Sequence, residues 1–466
     1  MLSKIFERFI QDSPITVMAA AALGRLLSPA RLDDLFDQAR QGQYTHRLTF
    51  STVFSLMAGV VVGTRKSIHH AYQSVTPEVV GASVVAVYDK LKGIETCTSQ
   101  ALVRDLAAEV VPLIDQMGGA LPPLAPGYRV KILDGNCIAA SEHRIKELRA
   151  TSAGALPGKS LVVLDPQRRV ILDVFPCEDG HAQERAILGQ VLPTIAAGDL
   201  WIEDRNFCTF GFLLAIVERL AYFVTRQHGN MACQTLGPRK KLGAVEGGTA
   251  YEEPVLVRGE DGKELRLRRI VICLDQATRD GDRVLSLLTN LPATGPGAVS
   301  GDQVARLYRC RWKIETAFQE LVEHFNSEIN TLGYPKAALF GFCVALVLFN
   351  ALSLLKAALR GSHGVQKVEQ EVSNYYIAAE LETTSRGMMI AIPAHHWRGF
   401  AEMSAARFVA VMLSLAGKVN LRQFQKHPRG PKKPQPQRTY DPAHPHVSTA
   451  KLLQLRGPRK RRTSQP

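Results

Sequence analysis

From Ala337 to Leu355 the chain runs 19 residues without a charge. A run of that length is either a membrane span or a helix walled in by protein on every side. Asn350 and Ser353 lie inside it and no second span accompanies it, so a buried helix is expected. Its roughly 28 Å of length needs a core of corresponding size. The chain can supply one: it has 466 residues, 46% hydrophobic and 21% charged. That size allows about two or three domains, and the composition excludes wholesale disorder, collagen and simple coiled coil.

Around this helix the patterning changes in blocks. Residues 1–125 read as helices, with apolar spacing in Leu32, Leu35 and Phe36, in Val53, Leu56 and Met57, and in a stretch opened by Thr98 or Ser99 and running to Met117. The segments GASVVAVYDKL and TSQALVRDLAAEVV could form a DNA-reading helix pair or an ordinary helical hairpin. Pro122, Pro123, Pro126 and Gly127 end this block. Residues 126–228 then read β-β-β-α-β-α-β, from YRVKILD through SLVVLD, RRVILDVF and LWIED to AYFVTRQ, which makes an α/β sheet of mixed direction. Residues 229–298 look like a β-rich insertion, residues 299–360 return to helix, and 361–425 are a further helical region.

The formal charge of +14 is unevenly spread. Residues 426–466 carry 11 basic side chains against Asp441 alone, together with eight prolines after residue 426. This tail is expected to stay unfolded and to touch a polyanion. Eight cysteines stand apart without a CxxC pair or a His partner at zinc-ligand spacing, which fits reduced thiols in a cytoplasmic protein. The N-terminal MLSKIFERFIQDSP lacks the apolar core of a secretory signal.

The segment SGDQVARLYRCRWKIETAFQELVEHFN reads as one helix opened by a Ser300–Gln303 capping box. Leu307, Cys310, Ile314, Phe318, Leu321 and Phe325 share one stripe, which must face a core. Tyr308, Arg311 and Glu315 form a second row within about 60° along its border, where a cleft wall would lie. Arg306, Arg309, Lys313, Glu320, Glu323 and His324 point away as a solvated face. Alone, Arg311 and Glu315 are an ordinary i, i+4 ion pair.

Asp134 ends one strand and Asp204 another. Each reads equally as a strand-end turn or helix cap and as a ligand. With Glu315 packed against them they could converge on divalent cations, since hard Mg²⁺ takes oxygen donors and accepts few protein ligands. Asp165, before Pro166, and Asp173, inside a strand, are rivals, and Glu203 should face the opposite side of the sheet from Asp204.

LDGNC at Asp134, EDRNF at Asp204 and YRCRWKIE at Tyr308–Glu315, with the β-rich insertion between the last two, resemble the DDE transposases of the insertion-sequence four family over about residues 128–355. The resemblance implies a ribonuclease-H-like core, a metal-holding triad of Asp134, Asp204 and Glu315, and Tyr308 and Arg311 at the DNA backbone. It also implies Mg²⁺ as cofactor, two ions per site with Mn²⁺ able to substitute. Partners would be the element's terminal repeats and target DNA, in a dimeric DNA complex without membrane association. The family signature continues with a Lys seven residues after the Glu, where this chain has Val322. The expected function is metal-dependent strand cleavage and transfer by a cytoplasmic protein that joins the bacterial nucleoid when on DNA. An inactive DNA-binding derivative, which Val322 favours, and a nuclease without strand transfer are the alternatives. Trp201 and Trp312 could stack on bases, though core packing suits Trp201 better. His181 and Glu184 read as a cap or surface pair more readily than as support for the site.

Overall fold

The computed structural model describes residues 4–45, 47–76, 80–138, 145–278, 281–393, 395–427, 442–443 and 445–455. Helices lead the chain, among them α1 (Pro14–Leu26), α2 (Phe50–Val61), α3 (Val84–Gly93) and α4 (Thr96–Gln116). Thr98 and Ser99 do not open α4; both are buried inside its first turn, on the face that carries Leu102, Leu106 and Val110. That face packs along β-strand Val170–Cys177 and the central helix.

The first strands of the chain are β1 (Arg129–Cys137), a three-residue β2 (Gly154–Leu156) that stands apart from the main sheet, β3 (Lys159–Asp165), β4 (Val170–Cys177), β5 (Asp199–Glu203) and β6 (Tyr222–Arg226). The others run β4-β3-β1-β5-β6 across the sheet. β1, β3 and β4 form an antiparallel meander, and β5 and β6 lie parallel to one another and to β1. This is the mixed α/β arrangement expected of a ribonuclease-H-like core. Where a helix was expected near His181–Leu192, three single turns stand instead, the last containing Pro193, whose missing N–H cannot continue a helix.

The β-rich segment is not a separate layer. Its strands β7 (Gln234–Thr235), β8 (Lys240–Val245), β9 (Gly248–Arg258), β10 (Glu264–Leu274) and β11 (Val284–Thr289) continue the same sheet, because β11 pairs antiparallel with β6 through Leu287–Thr289.

The helix expected from Gly301 to Asn326 is two helices, α5 (Gly301–Arg309) and α6 (Trp312–His324). At the joint the Lys313 and Ile314 amides reach only three residues back, to Cys310 and Arg311, so the axis breaks at the residues that carry the site. The capping box at Ser300 and Gln303 is present.

α7 (Pro335–His363) is the buried helix, and the apolar window of its sequence is wholly enclosed. Its two polar residues have a use. Asn350 donates to the Ile171 carbonyl at 2.9 Å and accepts from the Ile171 amide at 2.8 Å, pairing with β4 as a further strand would. Ser353 donates to the Arg169 carbonyl. The edge of the sheet is thus covered by α7, which satisfies backbone groups that would otherwise be buried without partners. α8 (Val365–Glu371), α9 (Asn374–Ala391) and α10 (Ala405–Ala416) follow, and with α1, α2 and α4 they share one core with α7 and one face of the sheet. The helices before residue 125 and after 361 thus pack together around α7.

The tail is not wholly without structure. β12 (His446–Ser448) pairs in parallel with β2, and α11 (Thr449–Leu455) follows it. Val447, Leu452 and Leu453 close a small apolar cluster with Ile145, Leu148 and Ala155, and Lys451 lies 2.9 Å from Asp179. The rest of the tail, 428–441, 444 and 456–466, lies outside the described residues.

Candidate active site

β1 and β5 lie side by side with Leu133 opposite Glu203, so Asp134 and Asp204 come next to one another; Asp204 does follow the end of β5, but Asp134 does not end its strand, because β1 runs on to Cys137 paired with β3. Side chains alternate along a strand. Ile132 and Ile202 face the core under the helices, while Leu133 and Trp201 face the opposite core, so Asp134 and Asp204 return to the helix side. Glu203 is fully buried on the far side, with neither carboxyl oxygen hydrogen-bonded, and burial pushes its acidity well above the usual carboxylate range. It faces away from Asp204 and is no rival to it. Thr225, opposite Glu203 on β6, donates to the Asp204 carbonyl at 3.3 Å.

Over these strand ends lies the joint between α5 and α6. The Arg311 guanidinium bridges two carboxylates, with Nη1 2.8 Å from Asp134 Oδ2 and Nη2 2.7 Å from Glu315 Oε1. The i, i+4 pair expected on the helix exists, but the same cation also reaches the strand. Arg311 is 8% exposed and its Nε is buried without a partner. Burial opposes its charge, yet Asp134, Tyr308, Glu315 and Asp204 outweigh that and hold its pKa above the usual value.

Asp134 has its pKa pushed up to about 6, chiefly by burial. Arg311 and the Gly135 amide, which donates to Asp134 Oδ1 at 2.9 Å, work against that rise. The negative charges of Asp204 and Glu315 add to it. Asp204 and Glu315 thus both act on Asp134. Tyr308 is buried beside them and hydrogen-bonded to Arg311, its hydroxyl pushed up to about 12 by burial and then by Asp204. Tyr308 and Arg311, expected at a DNA backbone, are in this state part of the carboxylate cluster.

Only hard oxygen donors and one guanidinium are present, a donor set that suits Mg²⁺ or Mn²⁺ and not a soft metal. A cation already sits between two of the donors: Arg311 occupies with its charge the position a metal would neutralise. Among the described residues no three His, Cys, Asp or Glu side chains stand close enough to hold a metal ion as they are. The residues fit such an ion in chemistry, provided that Arg311 yields its place.

Two exposed side chains flank the cluster. Trp312, 60% exposed, lies with its ring 5.1 Å from the Arg311 guanidinium carbon. Val322, 62% exposed, stands on the Glu315 edge of α6 where the family Lys was expected. Trp201 is fully buried core, as its position suggested.

The rival aspartates have other partners. Asp165 accepts from the Gln167 and Arg168 amides and shapes the β3–β4 turn, and Asp173 pairs with Arg104 of α4 at 2.7 Å. The far face of α6 is not simply solvated. Glu320 pairs with Arg169 at 2.8 Å and accepts from Asn374, while Arg169 also lies near Glu369, which holds Lys356 and Arg360 of α7. These partners are far apart in sequence, so the helical period alone could not reveal them. Glu184 was passed over too: it accepts from Asn206 Nδ2 at 3.3 Å, while its neighbour Arg185 donates to the Asn206 carbonyl at 2.7 Å. The glycine directly after Asp134 was the available signal for a close neighbour there.

Residues 125–348 match the family described as "Transposase DDE domain". The chain is also 30% identical over 185 residues to a protein of Sinorhizobium fredii (strain NBRC 101917 / NGR234) named "Putative transposase y4zB", a match covering 38% of this chain and 47% of that protein. The chain thus spans about half the length of the curated relative it matches.

Proposed function

We propose that this chain is a DDE transposase, which cuts DNA at the ends of a mobile element and joins them to a target with Asp134, Asp204 and Glu315 as the metal-holding triad; the match of residues 125–348 to the transposase DDE domain supports this reading. The observation that carries this reading is the meeting of Asp134 with the fields of both Asp204 and Glu315 at one end of the sheet. Two bound Mg²⁺ or Mn²⁺ ions would supply activation of the attacking oxygen and stabilisation of the leaving one.

This chain's own groups do the rest. Asp134, on β1, is anchored by the Gly135 amide, and Asp204 by Thr225 through its backbone. Glu315 enters from the helix, and as the partly exposed member it can adjust. Arg311, released from Asp134 when other cations take the carboxylates, reaches a non-bridging phosphate oxygen with two N–H groups. Tyr308 fixes the guanidinium through its hydroxyl. Trp312 offers a ring to a base beside the cut. Water attacks the phosphorus and the P–O3′ bond breaks; one proton of the water ends on the 3′-oxygen, which leaves as hydroxyl, and the other stays on the new phosphate or passes to solvent. That hydroxyl then attacks a target phosphodiester in line and displaces a second 3′-oxygen, so the number of phosphodiester bonds is conserved in transfer. Two element ends imply two copies of the chain on DNA. The site of action is the nucleoid of a bacterial cytoplasm.

The test is Mg²⁺- or Mn²⁺-dependent nicking of DNA carrying the element's flanking repeats, comparing wild type with Glu315→Gln. Loss of nicking with DNA binding retained supports the triad, and equal nicking by both proteins overturns it. A covalent donor–target product separates a transposase from a nuclease. The exposed Val322 favours a second reading, a DNA-binding derivative without catalysis; it predicts gel shift and no metal-dependent product from either protein.

A further inference from the structure

Gly135 follows Asp134 directly, and on the alternating strand its α-carbon faces away from the site. The space a β-carbon would take there is already filled. Glu184 Oε1 lies 2.1 Å from that point and the carboxyl carbon 2.6 Å, so any side chain at 135 would have to displace the Glu184 carboxylate. The other carboxyl oxygen, Oε2, takes the amide of Asn206, two residues past Asp204. Arg185 then fastens the same Asn206 by its backbone carbonyl. One short turn, Glu184–Ile187, therefore touches Gly135 after Asp134 and Asn206 beyond Asp204, from the side of the sheet opposite the metal-holding face.

The contacts feed forward. The Gly135 amide orients Asp134 through its bond to Oδ1, so where Glu184 lets Gly135 sit decides where that carboxylate points. Asp204 caps the turn Arg205–Phe207, and Asn206 is the middle residue of that turn. Moving Asn206 moves the backbone that carries Asp204. β1 stays paired with β3 as far as Cys137, but its ladder with β5 ends at Leu133 and Glu203, so beyond this point no ladder bond between β1 and β5 holds the two aspartates in register. We propose that Glu184 is a positioning residue that takes over where the ladder ends, setting the spacing of Asp134 and Asp204 through Gly135 and Asn206. Its role is shape and hydrogen bonding on the back of the site, with no contact to DNA or to the reacting atoms.

This rests on the reading of Asp134 and Asp204 as metal-holding residues, and the test separates the two. Mn²⁺ binding to the full chain is measured by titration calorimetry, alongside the Mg²⁺ concentration that half-saturates nicking, for wild type, Glu184→Gln, Glu184→Ala, Gly135→Ala and the double variant Gly135→Ala with Glu184→Ala. Removing a group that orients metal-holding residues commonly costs about 10–100-fold in metal affinity. Glu184→Ala and Gly135→Ala are each expected to weaken Mn²⁺ binding at least about tenfold and to raise the Mg²⁺ requirement in parallel, with maximal nicking at saturating metal largely kept. Glu184→Gln, which keeps shape and can still accept from Asn206, should stay within about threefold of wild type. In the double variant the methyl group finds space, so its loss should equal that of Glu184→Ala alone. Equal metal binding by wild type and Glu184→Ala overturns the proposal, as does a Gly135→Ala penalty undiminished when Glu184 is already Ala. A wild type that binds no Mn²⁺ and nicks nothing overturns the reading of the triad itself.

Discussion

Arg311 and Asp134, 177 positions apart in the chain, meet at 2.8 Å, and the same guanidinium holds Glu315. A strand carboxylate and a helix carboxylate thus share one buried cation, which keeps the metal-free site from repelling itself open. Arg311→Ala leaves Asp134 and Glu315 without it. The variant should lose on the order of 3 kcal/mol of stability without metal, the range seen when one partner of a buried pair is removed. Millimolar Mg²⁺ should restore more of its melting temperature than it adds to wild type, since binding to the folded state alone stabilises it. Thermal melts with and without Mg²⁺ check this; identical melting of variant and wild type would show that the bridge holds nothing.

Glu203 and Asp204 are neighbours on opposite faces of the sheet. Glu203→Gln should fold and nick as wild type does, because the carboxyl it replaces faces away from the site and its charge is already disfavoured by burial. Asp204→Asn should fold and fail to nick. A loss of nicking in Glu203→Gln at full stability would put the wrong face of β5 toward the metals.

Val322 stands exposed on the Glu315 edge. Val322→Lys there should add one phosphate contact, steepening the plot of log K against log salt by about 0.9 on duplex DNA. Mn²⁺ binding should be unchanged. An unaltered salt slope would mean that DNA does not pass over this part of α6.

Lys356 is buried between Arg169 and Glu369, and its pKa is lowered to about 8, first by burial and then by Arg169. Between about pH 8 and its ordinary value near 10.5 the folded state holds fewer protons here than the unfolded state. Stability from this group is therefore complete above that window and lost as pH falls through 8. Relative to Lys356→Met, wild type should gain up to about 3 kcal/mol on going from pH 7 to 10.5. Urea denaturation of both proteins at the two pH values measures the difference, and a constant gap would refute the depressed lysine.

The tail divides at Leu455. Removing residues from 456 onward deletes five basic side chains and should flatten the salt dependence of DNA binding while leaving β12 docked. Removing residues from 445 onward also strips β2 of its strand partner and uncovers Ile145, Leu148 and Ala155. That shorter form should show new proteolysis between residues 145 and 156, and protection equal to that of the longer form would mean that the docking is too weak to matter.

Much of this protein was legible in its residues. Nineteen uncharged positions foretold a buried helix, alternation in five runs foretold the order of the core strands, and a capping box foretold where α5 begins, because each signal is local and periodic. Alternation also separated Glu203 from Asp204. What periodicity cannot carry is contact between distant segments. The break of the expected helix at Cys310 and Arg311, the union of the β-rich segment with the core sheet through β11 and β6, and the return of the tail to β2 all depend on partners far along the chain. So does the site. The sequence by itself determined which three carboxylates and which arginine to weigh. Only the tertiary structure decided that Arg311 lies between Asp134 and Glu315, and that Glu184 fills the space beside Gly135, because a cation or a carboxylate is placed by the packing of whole elements and not by its neighbours in the chain.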